Sequence, residues 1–173
     1  SINNAALGIG MIHAQSATKA WLAAFPNAAG QTGGIWITTN GGTTWTRQNT
    51  ATFSNAASFT NTVYFWDDLE GVCMGDPINN EFEIYRTTNG GTTWTVVPGA
   101  SIPNPQASEF GYTRQMEVVG NSIWFTTSKG RIYHSTNKGV TWAVYTSPIT
   151  DFGGAVVAGS SANLSFSSLT NGI

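Results

Sequence analysis

Gly34-IWITTNGGTTW-Thr46 returns as Glu83-IYRTTNGGTTW-Thr95 and again as Arg131-IYHSTNKGVTW-Ala143. The tryptophans of the three copies, Trp45, Trp94 and Trp142, stand 49 and 48 residues apart. Long matches at near-constant spacing mark a structural repeat, and a repeat decides architecture before any local propensity does. Ile35-Trp36-Ile37, Ile84-Tyr85-Arg86 and Ile132-Tyr133-His134 have the β-branched and aromatic content of a strand. Asn40-Gly41-Gly42, Asn89-Gly90-Gly91 and Asn137-Lys138-Gly139 read as turns, because Asn and Gly enter left-handed backbone cheaply. Thr43-Thr44-Trp45 and its copies are expected to begin the return strand. Each Asn is expected to accept turn N–H groups, and each Trp to bury itself between hairpins.

Two further strand-like runs precede each hairpin. They are 10–16 and 19–26, then 62–67 and 71–76, then 114–120 and 122–128. Four short strands in roughly 48 residues make the blade of a β-propeller. The expected fold is therefore all-β, with blades over about 10–50, 60–99 and 112–147 of a single partial propeller. An incomplete unit follows over 153–173, with strands expected at 154–160 and 163–170. About 3.5 blades are present, half of a seven-bladed ring. The remaining blades are expected from the same protein or from a second chain.

The composition agrees. Hydrophobic residues make up 40% and charged residues only 9%, against roughly 25% charged in ordinary soluble domains. Thr, Asn, Ser and 20 Gly supply the polarity, which suits short strands and many turns. A net charge of −2 gives no electrostatic footprint for nucleic acid. No stretch approaches the ~20 apolar residues of a membrane span. The chain opens at Ser1 without a signal-peptide pattern, which fits a processed exported protein or a trimmed chain equally. Low charge with abundant Thr, Asn and Trp points to a secreted or cell-surface bacterial protein. Cys73 is the single cysteine; it lies in an apolar run with no neighbouring base and reads as a buried thiol.

The hairpins resemble the Asp-box, or bacterial neuraminidase repeat, of pattern Ser/Thr-x-Asp-x-Gly-x-Thr-Trp. The matching structural positions are Thr38, Gly42, Thr44 and Trp45; Thr87, Gly91, Thr93 and Trp94; and Ser135, Gly139, Thr141 and Trp142. Asn40, Asn89 and Asn137 replace the Asp. The run from Val63 through Trp66-Asp67-Asp68 and Met74-Gly75-Asp76-Pro77 into the second hairpin is similar to exported propellers related to photosystem II stability/assembly factors. The stretch from Pro103 to Tyr112 is like the Pro-rich loop and Glu of that group. That resemblance implies a seven-bladed, usually exported propeller.

An enzyme reading has to be weighed, since sialidases carry the same repeat. Their chemistry, as the resemblance implies, needs three arginines, a Tyr–Glu pair and an Asp acid. Arg47, Arg86, Arg114 and Arg131 are available here, but none has the sequence context of those enzymes. A xyloglucanase-like glycoside hydrolase would need paired carboxylates ~5–9.5 Å apart. Asp67, Asp68 and Asp76 are the candidates, beside Glu70; as structural residues they cap a turn and organise the corner at Pro77. His13 and His134 lie in different blades without other ligands at metal spacing. The glycine pairs are turns and not phosphate cradles, so no cofactor is expected. Trp21, Trp36, Trp66 and Trp124 lie outside the repeat position, and any that face the funnel can stack on a sugar or seat a peptide. The reading that follows is a non-catalytic exported binding or assembly scaffold with a protein or glycan partner. The alternatives are part of a carbohydrate-active enzyme and a structural repeat of a large adhesin.

Overall fold

The computed structural model describes all residues except 1, 3, 159, 160, 170 and 173. Twelve strands form three antiparallel meanders. The first blade holds β1 (Leu7–Ala14), β2 (Ala20–Pro26), β3 (Gly34–Thr38) and β4 (Thr46–Gln48). The second holds β5 (Thr60–Phe65), β6 (Gly71–Ile78), β7 (Glu81–Thr87) and β8 (Thr95–Val96). The third holds β9 (Gly111–Val119), β10 (Ser122–Thr127), β11 (Arg131–Ser135) and β12 (Ala143–Thr146). The first strands β1, β5 and β9 touch one another across the blades, so they form the inner rim and the short β4, β8 and β12 lie outermost. This is the arrangement of a partial β-propeller. No helix of the described residues is long and apolar enough to cross a membrane.

Strand alternation explains the seams. Side chains of consecutive strand residues point to opposite faces of a sheet, and a blade has a neighbour on each face. Trp21 and Ala23 of β2 join Ile35, Phe53, Val63, Phe65, Cys73 and Trp94 in the core between the first two blades. Leu22 and Ala24 point the other way and pack with Trp36 on the open flank of the first blade. In β6, Cys73 faces the first blade while Val72 and Met74 face the third, with Phe82, Ile84, Phe125 and Trp142. Central strands that are buried on both faces lose apolar/polar alternation, which is why Trp21–Phe25, Val72–Met74 and Ile123–Phe125 are unbroken apolar stretches. Trp21 lies flat on Phe65 with ring centroids 3.5 Å apart.

The repeated turns follow one scheme. The Thr38, Thr87 or Ser135 hydroxyl accepts the N–H of Gly42, Gly91 or Gly139 at 2.8–2.9 Å. The same hydroxyl donates to the Asn40, Asn89 or Asn137 Oδ1 at 2.9–3.0 Å. That oxygen also accepts the N–H of Thr44, Thr93 or Thr141. The N–H after each Asn donates to the neighbouring turn of its own blade, at Thr18 O, Leu69 O or Asn121 O, each at 2.9 Å.

Several expectations are corrected. The return strands begin one residue after the tryptophan, at Thr46, Thr95 and Ala143, because the Asn bonds keep the preceding Thr-Thr or Val-Thr inside the turn. Trp94 and Trp142 are buried, but Trp45 is only half-buried, since its blade has an open flank. In the last unit, residues 154–157 form bends and 158 a turn instead of a strand. Asp151 collects the N–H groups of Gly153, Val156 and Val157 and curls the chain around its carboxylate. The expected run 163–170 shrinks to β13 (Phe166–Ser168), which pairs with β14 (Asn171–Gly172). Residues 159, 160 and 170 of those expected strands lie outside the described residues.

Candidate functional site

The face carrying the repeated turns is the turn face; the connections between blades cross the opposite, loop face. Irregular backbone gathers where the inner rim meets the loop face. The ladders slip between Ile9 and Met11 in β1, between Thr60 and Thr62 in β5, and along β9 opposite Phe125 to Thr127. Bulges of this kind re-aim side chains. A Cβ at Gly10 would stand 3.0 Å from Asn61 O and 3.1 Å from Thr60 O, so the first two rims approach closely only because that residue is glycine.

Arg114 sits in the β9 irregularity with φ of 64°, a left-handed backbone uncommon for any residue but Gly. Its Nε donates to Gly10 O at 3.1 Å, tying the third blade to the first. The side chain is exposed and enters no ion pair among the described residues.

Asp76 lies at the loop-face end of β6, where the ladder slips between Gly75 and Pro77. One carboxylate oxygen accepts Asn61 Nδ2 at 2.7 Å and the Gly111 N–H at 2.9 Å, joining the second blade to the third. Burial pushes the carboxyl up to about 6, against the pull of those two hydrogen bonds. Asn61 Oδ1 is buried without a partner among the described residues. Because the folded carboxyl binds its proton more tightly than the usual 3.8, the folded state is favoured at low pH, and that stabilisation is lost as pH rises from about 4 through about 6. Asp76→Asn is expected to flatten this slope; urea melts at pH 4, 5, 6 and 7 measure it, and an unchanged slope would assign it elsewhere.

The other candidate carboxylates sit at the opposite end. Asp67 accepts the Leu69 and Glu70 N–H groups at 2.7 Å, and those backbone bonds hold its carboxyl below the ordinary range. Asp68 pairs with Lys19 of the first blade at 2.8 Å. Glu70 pairs with Lys138 of the third blade. About 17 Å of extended strand separates Gly71 from Asp76, so Asp76 does not form an acid/base pair with Asp67 or Asp68.

Three of the four arginines are occupied by structure. Arg47 Nη2 donates to Gly33 O at 2.8 Å and Thr52 O at 2.9 Å, clamping two loop-face segments. Those segments wall an open cleft of about 490 Å³ with an uncharged lining that includes Asn27, Gln31, Ser54 and Asn55. Arg86 Nε donates to Lys138 O at 2.7 Å. Arg131 is buried against Glu109, with Nη2–Oε2 at 2.5 Å, and also reaches Asn104 O. Arg114 alone remains open.

The four tryptophans are all at least half-buried in packing contacts. Trp21 is fully buried, Trp36 lies under Arg47, and Trp124 is stacked between His134 and Phe166. Half-buried Trp66 donates its indole N–H to Gly120 O at 2.8 Å, with Lys138 over its ring. Thin blades need large flat side chains to fill the space between sheets, and indoles do this best. His13 rests on Tyr64. Cys73 is buried, which pushes its thiol well up. Among the described residues no three His, Cys, Asp or Glu side chains cluster as metal ligands.

No family model and no curated protein matches the chain. Solved structures do. The structure described as YCF48 bound to D1 peptide is 24% identical with a TM-score of 0.58, over 80% of this chain and 39% of that one. YCF48 from Cyanidioschyzon merolae is 20% identical with a TM-score of 0.51, over 81% of this chain and 40% of that one. The GH74 xyloglucanase from Xanthomonas campestris is 16% identical with a TM-score of 0.57, over 84% of this chain and 22% of that one. The chain thus spans about two fifths of the YCF48 chains and a smaller share of the hydrolase. A peptide-bound protein and a glycoside hydrolase share this architecture, so fold does not assign chemistry. The chain is an all-β protein with the β-propeller fold, and its resemblance to YCF48 and to the xyloglucanase is one of fold.

Proposed function

We propose that this chain belongs to an exported, non-catalytic propeller that binds a protein partner at the inner rim of its loop face. Arg114 carries the reading: an exposed guanidinium in a left-handed bulge, anchored through Nε and left without an internal anion. Strained backbone that neighbouring structure holds in place is a hallmark of ligand sites. A guanidinium prefers carboxylates, which it grips with two parallel bonds, so the partner segment carries a carboxylate. The structure described as YCF48 bound to D1 peptide, a fold neighbour, supports a peptide over a small molecule. The hydrolase alternative has less support, because Asp67 caps its turn, Asp68 is ion-paired and Asp76 stands apart.

The test is a peptide array carrying free and amidated C-termini and internal Asp/Glu, probed with the whole protein and with Arg114→Ala. Selective capture of carboxylate-bearing peptides, weakened about tenfold or more in the variant, is the expected result. Capture indifferent to Arg114→Ala, or turnover of xyloglucan by the whole protein, would overturn the reading.

A further inference from the structure

We propose that the cleft on the loop face of the first blade is a binding site for a neutral saccharide, separate from the inner rim. The internal repeat defines what a blade requires, and the first blade departs from it at three places. Its β2–β3 connection runs over 27–33, where the second and third blades cross in 79–80 and 128–130. Gly34 stands where the other two have Glu83 and Arg131, and Arg47 where they have Val96 and Val144. None of the three departures is needed to make a blade, since two blades do without them. In repeat architectures such insertions gather on one face, often the binding face.

The three departures build one object. Gly34 has a φ of 142°, and a Cβ there would stand 3.0 Å from Arg47 Nη2, so glycine leaves the room that the guanidinium occupies. Arg47 then ties the long connection to the segment after β4, through Gly33 O and Thr52 O. Backbone next to those two anchors supplies the walls, Pro26 to Thr32 on one side and Ser54 to Ala56 on the other. The volume of about 490 Å³ falls within the ~300–1,000 Å³ of small-molecule sites.

The lining points to the ligand. Its polar side chains are Asn27, Gln31, Thr32, Ser54 and Asn55, all uncharged. Gln31 Oε1 accepts Asn4 Nδ2 at 3.3 Å and Asn55 Oδ1 accepts the Ala57 N–H at 2.9 Å. Gln31 Nε2, Asn55 Nδ2, the Asn27 amide and the Thr32 and Ser54 hydroxyls make no hydrogen bond among the described residues. Amides and hydroxyls between them both donate and accept, which matches sugar hydroxyls. A charged ligand would leave water for a site with no opposite charge to receive it. Arg47 does not supply one, because its Nη groups are turned to Gly33 O, Thr52 O and Asn49 Oδ1.

A peptide is served less well. Strand addition needs free backbone N–H groups, and Pro26, which ends β2, has none. The apolar lining is limited to the Pro26 ring and the methyl groups of Ala28, Ala29 and Ala56. That is too little to seat a Leu or Phe anchor, and it suits the C–H face of a pyranose.

The test probes the whole protein on a microarray of neutral gluco-, xylo-, manno- and galacto-oligosaccharides beside uronic-acid and sialylated ones. Titration calorimetry then measures the affinity of the neutral oligosaccharide captured most strongly. Selective capture of neutral oligosaccharides is the expected result. Ala29→Trp fills the cleft. Asn55→Asp keeps the acceptor for the Ala57 N–H but removes the Nδ2 donor and adds a charge. Each is expected to weaken binding about tenfold or more, while Arg114→Ala leaves it unchanged, which separates the cleft from the inner rim. Ala29 and Asn55 are both exposed, so the two variants leave the core intact, and near-ultraviolet circular dichroism checks this. If one variant does not fold, the other decides. Capture of no neutral oligosaccharide, preference for the acidic ones, or undiminished binding by a folded variant would overturn the proposal.

Discussion

Glu109→Ala is expected to lower stability by about 3–5 kcal/mol, the cost of stranding one member of a buried ion pair. The Glu109 side chain is fully buried and that of Arg131 is 10% exposed. Glu109 receives Arg131 Nε and Nη2, the Thr127 hydroxyl at 2.5 Å and the Gln106 N–H at 2.7 Å. Removing the carboxylate leaves a guanidinium enclosed with only the Asn104 carbonyl and the Tyr133 hydroxyl for company. It also frees the Pro-rich loop, which the Gln106 bond closes. Urea denaturation of both proteins at neutral pH measures the difference. The double variant Glu109→Ala/Arg131→Met is expected to recover part of it, because it removes the stranded charge as well. A loss under about 1 kcal/mol in the single variant would mean that water reaches Arg131.

Trp21→Ala is the second large effect, at about 3–5 kcal/mol. The indole is fully buried and covers Phe65 face to face at 3.5 Å, while Phe65 meets Trp94 edge-on. Truncation opens a void in the middle of the first seam, where two sheets cannot move together without disturbing the others. Trp21→Phe keeps the stack and is expected to lose much less. A thermal melt followed by near-ultraviolet circular dichroism reads both. Similar losses for Ala and Phe would show that indole-specific contacts, and not filled volume, matter at this position.

The hairpins were legible in the sequence because each is set by contiguous residues: Thr or Ser, Asn and Gly at fixed offsets close the turn on themselves. Blade count followed from their spacing, and the burial of Trp94 and Trp142 between blades from the repeat itself. The inner rim was not legible. Gly10, Asn61 and Arg114 are unlike residues at unlike distances from their tryptophans, and a bulge depends on the partner strand. Asp76 was visible as a carboxylate but not as a bridge between blades, since Gly111 is 35 residues away. The last unit misled for a similar reason: Ala155-Val156-Val157 looks like strand, and the competing claim of Asp151 on its N–H groups arises from a residue outside the apolar run. Arg114 carried no local signal beyond being an arginine in a chain with four.

The clamps on the repeated turns all point one way along the chain. Gln48 and Thr50 complete the second turn, Arg86 and Ser101 the third, and the donor or acceptor always comes from the blade before. Each unit thus depends on its N-terminal neighbour for bonds that it cannot make alone, in the manner of a one-dimensional array with nearest-neighbour coupling. Such coupling has polarity. Loss of order in one blade is expected to speed amide exchange in the turn of the blade after it more than in that of the blade before it, and during synthesis the second and third turns emerge onto a blade already in place.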